Sequence, residues 1–237
     1  MSSRIAFVGG TGPAGIGLAA RLARAGHRCA IGSRSSERAH EAAERVRELV
    51  PGADIGAGTN AEVVLDADVV VLTVNDDAQR TLVGELVDAL AGKVVVSMAN
   101  PLLIHGSDAH YLEPPEGSLA EAAQIAAPGA RVVSAFHEIR VNRWAKLDRA
   151  IDADTIVCGD DEDAKRIVIG LARDAGVRGV DAGPLSRSRY IEAFVAVLIS
   201  INLRNRVGAS YRITGMPEPD VASAPLVIAL PEHTPAT

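Results

Sequence analysis

The stretch that decides the fold is Val8-Gly9-Gly10-Thr11-Gly12-Pro13-Ala14-Gly15. A short apolar segment precedes it, and an Ala- and Leu-rich segment, Ala14 to Ala25, follows it. Glycines 10, 12 and 15 match the GxGxxG pattern, which binds a dinucleotide when it joins a strand to a helix. In that pattern Gly10 permits the tight turn, Gly12 lets the backbone approach a pyrophosphate, and Gly15 lets helix and strand pack closely. The alternative is a tight strand–helix turn without a ligand.

The start of the predicted helix supplies the other contacts to the pyrophosphate. Free backbone N–H groups and a partial positive charge collect at a helix N-terminus, which makes it an anion-binding site. We therefore expect Thr11, Pro13 and Ala14 to lie beside the bound pyrophosphate.

The end of the second predicted strand distinguishes the two nicotinamide dinucleotides. Sites that prefer NAD carry an Asp or Glu at this point, which holds the ribose 2′-hydroxyl. This chain has Gly32-Ser33-Arg34-Ser35-Ser36 instead, with a hydroxyl at Ser33 and a guanidinium at Arg34. A guanidinium suits a phosphate, and Arg38 follows one helical turn later. The segment predicts a preference for NADP(H), against the alternative that both arginines are ordinary surface residues.

Apolar, Val- and Ile-rich segments alternate with helical segments along most of the chain. This alternation predicts an α/β fold, a Rossmann-type doubly wound parallel sheet with a small C-terminal helical part. The predicted strands are 4–8, 28–31, 69–74, 94–97, 132–135, 155–158 and 177–181, and the predicted helices are 14–25, 37–49, 81–90, 119–127, 161–175 and 187–206. The segment 100–117 holds several prolines and glycines and is predicted to be an irregular loop.

The predicted domains are an NADP-binding Rossmann domain (1–184), a helical part for dimerisation and cofactor covering (185–216), and a Pro-rich tail (217–237). The helix 187–206 carries apolar residues on more than one face, which exceeds what one buried stripe requires. We therefore expect its second face to pack against a second copy in a two-fold homodimer.

Composition excludes several classes of protein. The 237 residues are 48% hydrophobic, carry a net charge of −6 and show no block of Lys or Arg, so we expect no nucleic-acid partner. No apolar stretch approaches the roughly 20 residues of a membrane helix, and no signal peptide is evident, which predicts a cytoplasmic protein without a membrane partner. Cys29 and Cys158 lie in short apolar runs and are predicted to be buried strand thiols, with no metal site.

The chain resembles the NADPH:F420 oxidoreductases, also called F420-dependent NADP reductases, over roughly residues 4 to 215. The segments that carry the resemblance are Gly9-Gly10-Thr11-Gly12, Gly26-His27, Gly32-Ser33-Arg34, Val132-Val133-Ser134-Ala135-Phe136-His137, Val157-Cys158-Gly159-Asp160-Asp161, Asp181-Ala182-Gly183-Pro184-Leu185, Glu192 and Arg212-Ile213-Thr214-Gly215. The resemblance implies hydride transfer between NADP(H) and the deazaflavin coenzyme F420, which are its small-molecule partners.

The resemblance also implies site residues. NADP is expected to lie at Thr11, Ser33, Arg34 and Arg38, and the deazaflavin at His137 and Ile139. The predicted cofactor contacts further include Val74 and Asn75, at the end of the predicted strand 69–74, and Asn100, in the loop after the strand 94–97. Arg140 departs from the family pattern, since a small or apolar residue is usual there.

The chemistry-bearing residues agree with such a reaction. The sequence shows no Ser–His–Asp set, no metal-spaced His/Cys cluster and no isolated pair of carboxylates, so no catalytic side chain is expected to be essential. Hydride transfer between two cofactors needs none of these groups, because the cofactors carry the reactivity. His137 is a candidate for stabilising charge on the reduced ring, or else a structural histidine.

Two alternatives remain open at this point. One is an NADPH-dependent enzyme with a flavin acceptor, because the NADPH domains of ferric reductases share the Gly-Ser-Arg and Cys-Gly-Asp stretches. The other is a non-catalytic redox sensor that binds NADP(H).

Overall fold

The computed structural model describes residues 2–74 and 76–216, without the side chains of Asp76 and Asp77. Asn75, a predicted cofactor contact, and the predicted Pro-rich tail 217–237 lie outside the described residues.

The core of the molecule is a mixed, mostly parallel sheet in the order β10-β9-β8-β5-β4-β1-β2-β3. Its first six strands in chain order reproduce the 3-2-1-4-5-6 arrangement of dinucleotide-binding folds. The strands are β1 (Arg4–Val8), β2 (Arg28–Ser33), β3 (Ile55–Thr59), β4 (Val69–Leu72), β5 (Val94–Ser97), β8 (Arg131–Ser134), β9 (Asp154–Gly159) and β10 (Arg178–Asp181). The Rossmann-type fold is therefore confirmed.

Helices cover both faces of the sheet. They are α1 (Pro13–Arg24), α2 (Ser36–Leu49), α3 (Asn60–Leu65), α4 (Asp76–Glu85), α5 (Val87–Leu90), α6 (Leu119–Ala126), α7 (Val141–Trp144), α8 (Glu162–Asp174) and α9 (Ser188–Asn205). Successive side chains of β1 point to opposite faces of the sheet. Ile5 and Phe7 pack with α1, α2 and α8, whereas Ala6 and Val8 pack with α3 to α6. No helix within the described ranges is both long and apolar enough to span a membrane.

The last two strands depart from a purely parallel sheet. β9 runs antiparallel to β8, with Ser134 opposite Cys158, and β10 runs parallel to β9. A strand parallel to β8 would need a crossover connection that takes the chain back to the end of the sheet at which β8 begins. The segment 135–153 does not make one, because the chain re-enters the sheet with Thr155 beside Phe136, whose N–H donates to the Thr155 Oγ1 at 2.7 Å.

Three sequence-based assignments of elements are corrected. The predicted irregular loop 100–117 contains a hairpin of β6 (Leu102–His105) and β7 (Asp108–Tyr111), joined by Gly106 and Ser107. Gly106 takes a positive φ of 62°, as short hairpin turns require. β3 and α3 lie within residues 50–68, for which the sequence predicts no helix or strand. The strand sequence IGAGT has too few side chains to show an alternating pattern. The helix predicted at 81–90 begins earlier, as α4, and is broken before α5.

After α9 the chain continues as an extended strap, residues 207–216, bound to the start of β9. The Asp154 N–H donates to the Tyr211 carbonyl at 3.0 Å, and the Ile213 N–H donates to the Asp154 carboxylate at 2.6 Å. Arg178 completes this attachment with two donors to the same buried carboxylate, at 2.6 and 2.8 Å. The strap therefore belongs to the fold of the sheet.

Candidate active site

The glycine-rich loop has the backbone geometry that the sequence predicts. The Gly10 N–H donates to the carbonyls of Phe7 and Gly32, at 3.1 and 3.0 Å, and a Cβ on Gly10 would lie 2.6 Å from the Phe7 oxygen. A Cβ on Gly15 would lie 2.5 Å from the Gly10 oxygen, so helix and turn are in direct backbone contact. A Cβ on Gly12 would meet nothing within 4 Å. The loop is closed at Gly10 and Gly15 and open at Gly12.

The start of α1 is free to bind an anion. Gly12 is the N-cap and offers no side chain to the first turn, and Pro13 occupies the first helical position, where its missing N–H costs nothing. The N–H groups of Ala14 and Gly15 therefore lack an intrahelical partner. This is the arrangement that a dinucleotide pyrophosphate uses, so the residues present fit that group.

An asparagine that the sequence analysis missed holds the loop in place. The Asn60 Oδ1, at the start of α3, accepts the Gly9 N–H at 3.1 Å. It lies against Gly32 as well, where an added Cβ would be 2.9 Å from the same oxygen. Val74 is also adjacent, since a Cβ on Gly9 would overlap its side chain. The signal for Asn60 was available as a capping pattern, Thr59-Asn60-Ala61-Glu62, which begins α3 with a reciprocal capping box.

A cavity of about 260 Å³ lies between the glycine-rich loop and α2, and its lining carries two cations and one acid. The residues that line it are Thr11, Arg38, Glu41, Ala42 and Arg45. The structure therefore brings together Thr11 and Arg38 and adds Arg45, which the sequence analysis did not single out. Arg45 lies seven positions after Arg38, two turns along the same helix, so helical spacing could have indicated it.

Ser33 and Arg34 sit at the entrance to α2. Ser33 is buried, and its Oγ accepts the Ser35 N–H at 3.3 Å, which leaves the hydroxyl proton free to donate. Ser35 caps α2 by accepting the Arg38 N–H at 3.3 Å. Arg34 is exposed and lies outside the lining of the cavity, so the two predicted arginines occupy different positions around it.

The second predicted group, Asn100, His137 and Ile139, gathers after β5 and β8. The Asn100 amide donates to the His137 carbonyl at 3.3 Å, and Ile139 is buried in the core beside Phe136. The His137 Nδ1 lies 3.0 Å from the Ala135 carbonyl, which can only accept, so Nδ1 carries the proton. Nε2 of His137 and Oδ1 of Asn100 are both buried without a protein partner among the described residues. Nε2 of a neutral His137 ring is an acceptor, and so is the Oδ1 of Asn100. Together they suit a ligand that offers N–H groups.

A buried network fixes the backbone of this group. Phe136 adopts a left-handed φ of 71°, which is rare and strained for a residue with a side chain. Its N–H donates to Thr155, and the Thr155 hydroxyl donates to Glu138 at 3.0 Å. The strap adds Tyr211, whose hydroxyl donates to the other Glu138 oxygen at 2.9 Å. The network holds His137 and Ile139 in place.

The two cysteines take no part in either group. Cys29 lies on β2 and Cys158 on β9, and both are buried, as predicted. Burial raises the pKa of each thiol to about 12, so neither is a ready nucleophile at neutral pH. Within residues 2–74 and 76–216, no set of three or more His, Cys, Asp or Glu side chains could hold a metal ion.

Comparison with known proteins assigns the family. The family described as "NADP oxidoreductase coenzyme F420-dependent" matches residues 4–101. An F420-dependent NADP reductase of Methanocaldococcus jannaschii is 39% identical over 221 residues, which cover 90% of this chain and 99% of the relative. The chain belongs to the F420-dependent NADP reductase family. A second reductase of that name, from Methanothermobacter thermautotrophicus, is 39% identical over 92% of this chain and 97% of its own length.

The fold agrees with that of a solved structure. A protein from Arthrobacter sp. FB24 assigned as an F420-dependent NADP-reductase superposes with a TM-score of 0.77 and 26% identity, over 90% of this chain and 100% of that chain. For a reductase of this family, the two groups of residues described above are the candidates for contact with the two substrates.

Proposed function

We propose that the enzyme binds NADP(H) at the glycine-rich loop and α2, and coenzyme F420 at the group formed by Asn100, His137 and Ile139. As a member of its family, the chain is an oxidoreductase that transfers a hydride between NADP(H) and coenzyme F420. The observation that carries the assignment of sites is the pairing of an open anion-binding loop with a separate pair of buried, unpartnered acceptors.

The protein's contribution is binding and orientation. The N–H groups at the start of α1 hold the pyrophosphate, and Ser33, Arg34, Arg38 and Arg45 bind the 2′-phosphate by charge-assisted hydrogen bonds. Glu41 opposes the phosphate charge and is outnumbered by the cations around it. Thr11, Pro13, Ala14 and Val74 complete the wall of the dinucleotide site.

The His137 imidazole and the Asn100 oxygen orient the deazaflavin. In its neutral form Nε2 accepts an N–H of the pyrimidine edge, and when protonated it stabilises negative charge there. The nicotinamide and the deazaflavin supply the redox chemistry, so the protein needs only to hold their reacting carbons roughly 3–3.5 Å apart. No side-chain acid or covalent enzyme intermediate is required.

We propose the same domain boundaries that the sequence predicts. Residues 1–184 form the NADP-binding domain, and residues 185–216 cover the deazaflavin and supply a dimer contact. In that dimer a second copy covers the exposed apolar stripe of α9, formed by Tyr190, Phe194, Val197 and Ile201.

The reaction is tested with NADPH that carries deuterium at the transferred C4 position. Direct transfer places the label on C5 of the reduced deazaflavin, whereas label in the solvent would rule it out. Parallel absorbance assays use oxidised F420 and FMN as acceptors. Reduction of FMN without reduction of F420 would replace the proposal by the flavin-reductase alternative, and binding of NADPH without turnover on either acceptor would favour a sensor.

A further inference from the structure

A basic segment begins immediately after the proposed deazaflavin site. Residues 140–149 read Arg-Val-Asn-Arg-Trp-Ala-Lys-Leu-Asp-Arg, with a cation at every third position and a single acid, Asp148. The chain as a whole carries a net charge of −6, so this concentration of positive charge runs against its composition.

The backbone turns with the same period as the charges. The N–H of Arg143 donates to the Arg140 carbonyl at 2.8 Å, that of Lys146 to Arg143 at 3.3 Å, and that of Arg149 to Lys146 at 3.2 Å. Each of these bonds closes one tight turn, and the turns follow one another along the segment. All four cations line the same cavity.

A buried arginine fixes the backbone of this segment. The Arg21 guanidinium, on α1, is only 8% exposed and donates to the carbonyls of Arg143, Trp144, Lys146 and Arg149, at 2.7 to 3.1 Å. Its Nη1 donates to the Ala175 carbonyl at 3.2 Å. Arg21 therefore supplies a donor to each of these carbonyls and holds the backbone that carries the cations.

The cations surround a cavity of about 260 Å³. Its lining contains no acidic residue among those the structure describes, and consists of Arg140, Asn142, Arg143, Lys146, Arg149, Ala150, Ile151 and Gly208. Arg140 and Arg143 each donate one hydrogen bond to the strap, to the carbonyls of Val207 and Gly208 at 2.8 Å. A guanidinium has five N–H donors, so both retain donors for a ligand.

We propose that this cavity, defined by Arg140, Arg143, Lys146 and Arg149 and termed the basic cavity, binds the acidic side chain of coenzyme F420. The inference rests on the proposed function, because Arg140 is bonded directly to Ile139, a residue assigned to the deazaflavin ring. That coenzyme carries a phosphodiester and glutamate carboxylates beyond its ring, and guanidinium groups recognise both kinds of anion by paired hydrogen bonds. A free phosphate or pyrophosphate would satisfy the same chemistry, and the experiment separates the two sources.

The test measures dissociation constants by titrating the fluorescence of the deazaflavin. Two ligands are compared: intact coenzyme F420 and the deazaflavin nucleoside analogue that lacks the phosphorylated side chain. The variants are Arg149→Glu and, as a milder change, Lys146→Gln, both at exposed positions. The matched control is Arg166→Glu, an equally exposed arginine on α8.

We expect Arg149→Glu to weaken binding of intact F420 by about three- to tenfold, because the change removes an exposed ion pair and adds a repulsion of similar size. Lys146→Gln should have a smaller effect in the same direction. Binding of the analogue without the side chain, and of NADPH, should change by less than about twofold. Arg166→Glu should leave all three affinities unchanged.

The other outcomes each overturn a different statement. Equal loss for F420 and for the analogue would place the effect at the ring and remove the basic cavity from recognition of the side chain. Wild-type affinity of both variants for F420 would do the same. Calorimetric binding of pyrophosphate that Arg149→Glu abolishes, with F420 binding intact, would assign the cavity to a free anion. If neither deazaflavin binds the wild-type enzyme, the proposed function itself fails.

Discussion

We propose that single side chains between β2 and α2 set the preference for NADP(H). No carboxylate follows β2, and the hydroxyl of Ser33 and the guanidinium of Arg34 occupy the position at which NAD-binding enzymes place an acid. Arg38 and Arg45 line the cavity beyond it. In the proposed site, the turn after β2 and the helix α2 both supply cations to the ribose 2′-phosphate.

Removal of one of these cations should weaken binding of NADPH and leave binding of NADH unchanged. Arg34→Ala is expected to weaken binding of NADPH by about 1.5–3 kcal/mol, the range for a hydrogen bond to a charged group. This corresponds to roughly ten- to a hundredfold in dissociation constant. The affinity for NADH, measured on the same variant, serves as the control and should be unchanged. Equal affinity of the wild-type enzyme for NADH and NADPH would contradict the assignment.

His137 should assist the reaction without being indispensable. His137→Ala removes the unpartnered Nε2 and is expected to lower kcat or the affinity for F420. The corresponding loss of transition-state stabilisation or of binding free energy should be at most about 3–4 kcal/mol. Turnover should persist, because the two cofactors carry the reactivity. Steady-state kinetics with F420 as the varied substrate measures the effect. Complete loss of turnover in a variant that still binds both cofactors would show that His137 has an obligatory chemical role.

Among the elements, α9 is attached to α6 by a buried carboxylate. Glu192 is fully buried and accepts the N–H groups of Leu119 and Ala120, at 2.9 and 3.2 Å. Burial raises the pKa of Glu192 to about 7, although the two backbone donors act in the opposite direction. Nearby, the exposed side of the contact carries an ion pair between Arg189 and Glu121 at 2.5 Å.

The raised pKa of Glu192 predicts a pH-dependent stability. Because the folded state favours the protonated acid, the stabilisation is complete below the unfolded pKa of about 4.3 and is lost as the pH rises through about 7. Glu192→Gln stays neutral, so its free energy of unfolding, relative to wild type, should rise by about 1–3 kcal/mol between pH 5 and pH 8. Urea unfolding at each pH measures this difference. A difference between Glu192→Gln and wild type that does not vary with pH would contradict the prediction.

For the whole molecule, the exposed side of α9 carries the apolar surface that we propose for the dimer contact. Val195, Ala196 and Leu198 face the core, whereas the apolar stripe at 190, 194, 197 and 201 follows the spacing of one helical face. The hairpin β6–β7 packs beside this helix, with the Ala109 N–H donating to Ser200 at 2.9 Å, and exposes Leu103 and Ile104. Apolar side chains thus continue from the helix onto the hairpin, as expected of a two-fold contact.

A charge in this stripe should prevent dimerisation. Val197→Glu is expected to convert a dimer into a monomer, because it would bury two unpaired carboxylates at a symmetric contact. Sedimentation or light scattering at micromolar concentration measures the mass. Ile125→Glu, at a more exposed apolar position on α6, is the control and should remain dimeric. A wild-type enzyme that is monomeric under these conditions would disprove the proposed dimer.

The amino-acid sequence by itself determined the features that depend on neighbouring residues. The glycine-rich loop, the start of α1 and the turn after β2 each follow from residues that are close in the chain, so their conformations are dictated locally. The buried strands β1, β4 and β5 follow from continuous apolar runs, and the cap of α8 follows from Asp161, whose carboxylate accepts the Ala164 N–H at 2.7 Å. Another local signal was available besides the cap of α3: Gly106-Ser107, which follows the run Leu102–His105, is typical of a hairpin turn.

Only the tertiary structure decided the features that depend on contacts between distant parts of the chain. The direction of β9 is set by where residues 135–153 return to the sheet, and a strand of either direction shows the same apolar pattern. Tyr211 meets Glu138 across 73 positions, and Arg21 meets the basic segment across more than 120. Such pairs produce no periodic pattern in the sequence. Buried polar groups need hydrogen-bond partners, and in these pairs the partner is brought close only by the folding of distant parts of the chain.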